Sequence, residues 1–205
     1  MRIQYLGHSC FKISSGGYAL VVDPYENGSV PGLKDLDTTA NLFSHEHRDH
    51  HGEGSVIMEE SFLPCPFRIE TIDSWHDDRN GSLRGRNRIH IFHVEKMKVV
   101  HLGDMGCAPL EWQMDLLKGA DLVMAPAGGY YTAEPSDVCA VVRKIGPRVV
   151  VPMHYRTAKS GFPVLRTCEE FLSCCGHVVR YETDTLTLDS ATPPHTAVLK
   201  QWGYM

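Results

Sequence analysis

One run of seven residues, His45-Glu46-His47-Arg48-Asp49-His50-His51, constrains this chain more than any other feature, because it crowds four histidines and an aspartate directly behind the short apolar segment Asn41 to Ser44. Imidazoles gathered beside a carboxylate form a ligand set for divalent transition metals. The spacing has a geometric meaning. Residues two apart in extended backbone point to the same side, so His45 and His47 can share one ion, while a turn aims Asp49 and His50 at a second. A catalytic ion takes about three protein groups and a water, so two ions need about six ligands, and this loop alone falls short. Three later residues qualify: His76 in Ser74-Trp75-His76-Asp77-Asp78, Asp104 in His101-Leu102-Gly103-Asp104, and His154 in Pro152-Met153-His154-Tyr155. Each closes a strand-like run, which is where open sheets build their sites.

The remaining sequence changes grain partway along. Ile3 to Leu6, Cys10 to Ile13 and Tyr18 to Asp23 read as an antiparallel meander, and Asn41 to Ser44, Ile69 to Trp75, Arg88 to Glu95 and Lys98 to Leu102 as further strands. Helices are then expected over Pro109 to Lys118, Pro135 to Lys144 and Val164 to Cys174. Buried strands at Asp121 to Ala125 and Val149 to Met153 alternate with them, and strands at Val178 to Tyr181 and Thr185 to Leu188 close the chain. Antiparallel β followed by βα units predicts an α/β protein of packed sheets with helices outside. No repeat or low-complexity tract divides it, so one domain over residues 1–205 is expected.

Bulk properties exclude some partners. A net charge of -5 with histidines neutral supplies no basic field to gather nucleic acid or anionic lipid, so neither nucleic acid nor membrane is expected as a partner. The segment MRIQYLGHSCFKI lacks the marks of a secretory leader, and no apolar run reaches spanning length. Seven cysteines without a C-x-x-C spacing read as reduced thiols, mostly small buried hydrophobes. A cytoplasmic location is the expectation.

Taken in order, Gly7-His8-Ser9, Asp23-Pro24, the His45 to His50 cluster, Trp75-His76-Asp77, Gly103-Asp104 with Gly106, and Pro152-Met153-His154-Tyr155 resemble the metallo-β-lactamase superfamily. The resemblance spans nearly the whole chain and points to its small hydrolase branch related to the sugar-phosphate lactonases. It implies a four-layer αββα sandwich with a site at one edge of the two sheets. It also implies that His45, His47 and His76 hold a first divalent ion, that Asp49, His50 and His154 hold a second, and that Asp104 bridges them. Zinc is the expected metal, with manganese and iron compatible with the same ligands. By that likeness a hydroxide bridging the ions attacks a small ester, lactone or phosphate-bearing metabolite, and Asp49 orients it. Two alternatives stand beside it: a phosphodiesterase or nuclease of the same superfamily, and a metal-binding or redox protein without hydrolytic turnover.

Other residues carry weaker expectations. His8 is a candidate proton donor or substrate contact at the pocket mouth, and Asp23 a candidate anchor for the ligand loop. Tyr130, in Gly128-Gly129-Tyr130-Tyr131, is a candidate pocket wall. His51, His90, His93, His101, His177 and His195 read as surface or core side chains; His101 lies an odd number of residues from Asp104 and should face the other way. The hairpin from Arg79 to Arg88 offers Arg84 and Arg86 to an anionic substrate. Replacing Arg84 and Arg86 is expected to raise KM for an anionic substrate in steady-state assays; unchanged kinetics removes that role.

Overall fold

A computed structural model of the chain describes residues 1–33, 41–52 and 64–202. The strands are β1 (Arg2–Gly7), β2 (Cys10–Ser15), β3 (Tyr18–Val22), β4 (Asn41–Leu42), β5 (Arg68–Trp75), β6 (Arg86–Val94), β7 (Met97–His101), β8 (Leu122–Pro126), β9 (Val149–Met153), β10 (Val178–Arg180), β11 (Thr185–Thr187) and β12 (His195–Val198). The helices are α1 (Glu111–Leu117), α2 (Pro135–Ile145) and α3 (Glu169–Ser173).

The strands form two sheets, ordered β11-β1-β2-β3-β4 and β10-β12-β9-β8-β7-β6-β5. In the first, β11, β1, β2 and β3 pair antiparallel, as the meander predicts. In the second, β5 to β7 pair antiparallel and β8, β9, β12 and β10 continue in parallel from β7. Alternation along the parallel strands sorts two cores. Leu122 and Met124 of β8 and Val149, Val151 and Met153 of β9 pack against Ile3, Tyr5, Phe11 and Ile13 of the first sheet. Their neighbours Val123, Ala125 and Val150 face Leu117 of α1, Val138 and Val142 of α2 and Phe171 of α3. The apolar runs in β8 and β9 follow from this, because strands covered on both faces have no polar side to display. The outer face of the first sheet carries Leu6, Cys10 and Val21, packed with Tyr25, Val30, Leu33, Phe162 and Trp202. Among the described residues no helix covers that face, and none is long and apolar enough to cross a membrane.

Two elements differ from expectation. The last helix is confined to Glu169–Ser173, because Arg166 takes part in loop pairing instead: its amide donates to Gly128 O (2.9 Å) and its carbonyl accepts from Arg156 N (2.9 Å). β12 has no helical or alternating signature; all four residues are buried, slotted in parallel between β9 and β10.

The loops at one end of the seven-stranded sheet pack closely against one another. Gly106 donates to Trp75 O (2.9 Å), and a Cβ there would lie 2.2 Å from His76 C and Asp77 N. Gly128 meets the end of β9 in the same way, with a Cβ position 2.3 Å from His154 O. Only glycine permits these backbone approaches. Gly106→Ala is expected to cost about 1–3 kcal/mol through forced separation of the two loops, read as a lowered denaturation midpoint; an unchanged midpoint contradicts the close packing.

Candidate metal centre

Asp23 organises the histidine loop. The residue leaves β3 in the left-handed region (φ 47°), which aspartate tolerates better than most residues. Its Oδ1 accepts the Ser44 amide (2.6 Å), and its Oδ2 accepts the Ser44 hydroxyl (2.6 Å) and lies 2.8 Å from His50 Nδ1. A carboxylate only accepts, so His50 donates from Nδ1, which turns its Nε2 toward Asp104. Ser44 Oγ, its hydrogen given to Asp23, lies 2.9 Å from His45 Nδ1 and accepts in turn. One buried carboxylate thus sets the ring orientation of two histidines, directly and through a hydroxyl.

The Nε2 atoms of these two rings, with those of His76 and His154, converge on Asp104. Its Oδ2 lies 3.0 Å from His154 Nε2, 3.3 Å from His50 Nε2, 3.4 Å from His76 Nε2 and 4.0 Å from His45 Nε2. All five side chains are buried. His47, at the exposed rim, completes a group with His45 and His76 whose donor atoms lie within 4.8 Å of one another; Asp49, His50, His154 and His8 form a second such group.

The donor chemistry fits two cations. His45 Nε2, His50 Nε2, His154 Nε2 and Asp104 Oδ1 are buried without a hydrogen-bond partner, and leaving such atoms unpaired is costly. Donors held at ~2.0–2.1 Å by a tetrahedral ion sit about 3.3 Å apart, close to the spacings around Oδ2. Electrostatics agree. Burial, reinforced by His50, pushes His45 down to about 2, so its lone pair is available at neutral pH. Burial alone would raise Asp104 and lower His50; the neighbouring His154 and His50 instead hold Asp104 well below the carboxylate range, and Asp104 with Asp23 drives His50 well above the histidine range. The centre therefore calls for positive charge between its carboxylates.

The other candidates fall into distinct places. His8 is buried, its Nε2 3.1 Å from Asp49 Oδ2, beneath the cleft-lining Asp49 and Phe162 rather than among the lining residues. Burial, with His154 beside it, pushes His8 down to about 4. Asp49 and His47 line an open cleft of about 600 Å³ with Phe162 and Ser29. Arg84 lines a cavity of about 220 Å³ beside His76, donates to Tyr130 O (3.2 Å) and lies over the Tyr131 ring (5.8 Å). Arg86 is exposed on β6 opposite Trp75. Tyr130 is also exposed, held in a left-handed turn (φ 62°), while Tyr131 lines the cavity. His101 uses both nitrogens internally, Nδ1 accepting from Gly103 N (3.1 Å) and Nε2 2.9 Å from Ser9 O. His51 pairs with Glu46, His90 lies between Thr71 and Phe43 O, His93 faces Glu70, His177 faces Pro194 O and His195 faces Tyr181.

Two residues of the site escape a reading of motifs, Ser44 and Asn87. Buried Asn87 accepts from the Asp104 amide (2.8 Å) and donates to Leu102 O (3.0 Å) and Ser74 Oγ (2.8 Å), locking the Asp104 turn to β5 and β6. Asn87 sits between Arg86 and Arg88, just ahead of the apolar residues of β6, so the local pattern carried no signal for it.

Residues 2–154 match the family described as the Beta-lactamase superfamily domain, and the chain belongs to that family. A UPF0173 metal-dependent hydrolase of Bacillus cytotoxicus is 27% identical, the match covering 87% of this chain and 96% of the relative. A Thermotoga maritima structure assigned to the Zn-dependent hydrolases of the metallo-β-lactamase superfamily superposes with TM-score 0.72 at 26% identity, covering 97% of each chain. Igni18, a metallo hydrolase from Ignicoccus hospitalis, shares the fold with TM-score 0.59 at 22% identity, covering 84% of this chain and 88% of its own.

Asp23→Ala strands the Ser44 amide, the Ser44 hydroxyl and His50 Nδ1 together. It is expected to cost on the order of 3 kcal/mol or more and to weaken metal binding roughly 10- to 100-fold, checked by chemical denaturation and metal titration.

Proposed function

We propose that this chain is a metal-dependent hydrolase with a dinuclear centre that cleaves a small ester, lactone or phosphate-bearing metabolite. The observation that carries the reading is the set of imidazole Nε2 atoms around Asp104 Oδ2, several of them buried with no other partner. His45, His47 and His76 would hold one ion, Asp49, His50 and His154 the other, with Asp104 between them. Divalent cations in such a site bring a water toward neutral pKa and stabilise charge developing on the oxygen under attack. Zinc is proposed, supported by the imidazole-rich donor set and by the Thermotoga maritima relative described as Zn-dependent.

The chain's own groups supply the rest. Asp49 lines the cleft, and burial is outweighed by the His8 hydrogen bond and His50, leaving its carboxyl below its usual range, so it stays ionised and can orient a water by accepting its hydrogen bond. Phe162 and the 27–29 segment wall the cleft beside Asp49. Arg84 keeps its fork beside His76, where a carboxylate or phosphate on the substrate can be met. A net charge of -5 supports a small substrate over a polyanion. All seven cysteines are free thiols, which supports a reducing compartment such as the cytoplasm.

Protein purified without added metal is expected to carry about two divalent ions per chain by elemental analysis, and a screen of lactones, thioesters and phosphodiesters is expected to find chelator-sensitive turnover. His47→Ala and Asp104→Ala should each lose metal and turnover with an unchanged circular dichroism spectrum. Full activity in either variant refutes the ligand set.

A further inference from the structure

The hairpin joining β1 to β2 is unusual in where it ends. Gly7 and Cys10 are register partners, so His8 and Ser9 form a two-residue tip, and such tips normally face water. Here His8 and Ser9 are both buried. His8 also adopts φ 55°, a left-handed conformation that glycine or asparagine usually supplies at hairpin tips. A non-glycine residue there costs about 1–2 kcal/mol, and such strain persists only where surrounding structure imposes it.

That surrounding structure is plain. The His8 carbonyl accepts from the His154 amide (2.8 Å) and from Tyr5 Oη (3.1 Å), which stitches the tip to the end of β9. The ring lies 4.2 Å from the His154 ring, centroid to centroid, with Phe162 set edgewise at 5.6 Å. Nδ1 is buried without a hydrogen-bond partner, so the ring's polar contact is Nε2 to Asp49 Oδ2 at 3.1 Å. Asp49 can only accept, so Nε2 is the nitrogen that carries hydrogen. A nitrogen that donates this hydrogen has no lone pair to offer an ion. His45, His50, His76 and His154 crowd Asp104 Oδ2; His8 turns to Asp49 instead.

We propose that His8 is a positioning residue, which donates Nε2–H to Asp49 and holds that carboxylate in place for the second ion without binding metal itself. The inference rests on the dinuclear reading above. It gives the strained tip a purpose: the backbone is bent so that the imidazole, packed against His154 and Phe162, reaches Asp49. Asp23 treats His50 in the converse sense, a carboxylate orienting an imidazole, so Asp49 and His50 of the second ion's ligand set each have an outer partner.

Zinc titrated into chelator-stripped protein, with competition to resolve the two affinities, tests this. Wild type is expected to take two zinc ions. His8→Ala is expected to take two at saturation, with one affinity lowered roughly 10- to 100-fold. His8→Gln, which presents an amide N–H near the lost Nε2, should recover most of that loss. In an Asp49→Asn background the His8→Ala effect should largely vanish, an outcome that general destabilisation would not produce. Wild-type zinc affinities in His8→Ala, or saturation of both His8 variants at a single ion, overturn the proposal. Should His8→Ala fail to fold, His8→Gln decides: two ions at near wild-type affinity support it, one ion overturns it. A wild type that binds fewer than two ions overturns the dinuclear reading itself, a result distinct from failure at His8.

Discussion

The whole edge of this molecule is arranged around the cost of burying a carboxylate. Asp104 is removed from water, its Oδ2 is ringed by imidazole nitrogens, and its Oδ1 has no partner. An isolated buried charge of this kind costs several kcal/mol, recovered only by opposite charge and good geometry. Asp23, also buried, meets the demand with three donors. Asp104 meets it with lone pairs, which are useless to a carboxylate unless a cation stands between. The two aspartates thus divide the work: one holds the ligands still, the other requires what they bind.

Strand ends make this arrangement possible. Asp23, His76 and His154 directly follow β3, β5 and β9, and Asp104 follows β7 after a short turn. These strands deliver them to one edge, and local backbone strain does the final aiming. Left-handed φ values at His8, Asp23, Tyr130 and His154 gather at this edge, where surrounding packing can hold them. Glycines at 106 and 128 let the loops that carry these residues touch.

Much of this was legible in the residues. His45, His47, Asp49 and His50 stand out because four ligand-type side chains in six positions have few other uses, and His76, Asp104 and His154 because each closes a strand-like run. Their convergence required the fold, which spacing alone does not supply; the ordered series of short motifs carried that step. The strands of the parallel region were visible as continuous apolar runs. β12 was not, since its burial comes from neighbours distant in sequence. The shortened α3 was hidden for a similar reason: Arg166 is engaged by two loops, and local helix preference lost to them. Ser44 and Asn87 were silent as motifs because their roles lie in hydrogen bonds to partners far along the chain. For His8 the motif marked the residue, but only the burial of the hairpin tip shows which way its ring turns.

The loop from Asp77 to Gly85 illustrates a separation of labour. Asp77 accepts four backbone amides: Oδ1 takes Arg79 N (2.8 Å) and Gly81 N (2.9 Å), and Oδ2 takes Leu83 N (3.0 Å) and Arg84 N (2.7 Å). The shape of the loop is therefore written in main chain and one acid, not in the side chains it displays. Residues 79, 82, 83 and 84 can change character, from basic to acidic or aromatic, while the neighbouring His76 keeps its station, and Asn80 (φ 55°) holds the left-handed turn. A scaffold built this way can be re-aimed at new molecules by altering its fringe, with its reactive heart left as it was.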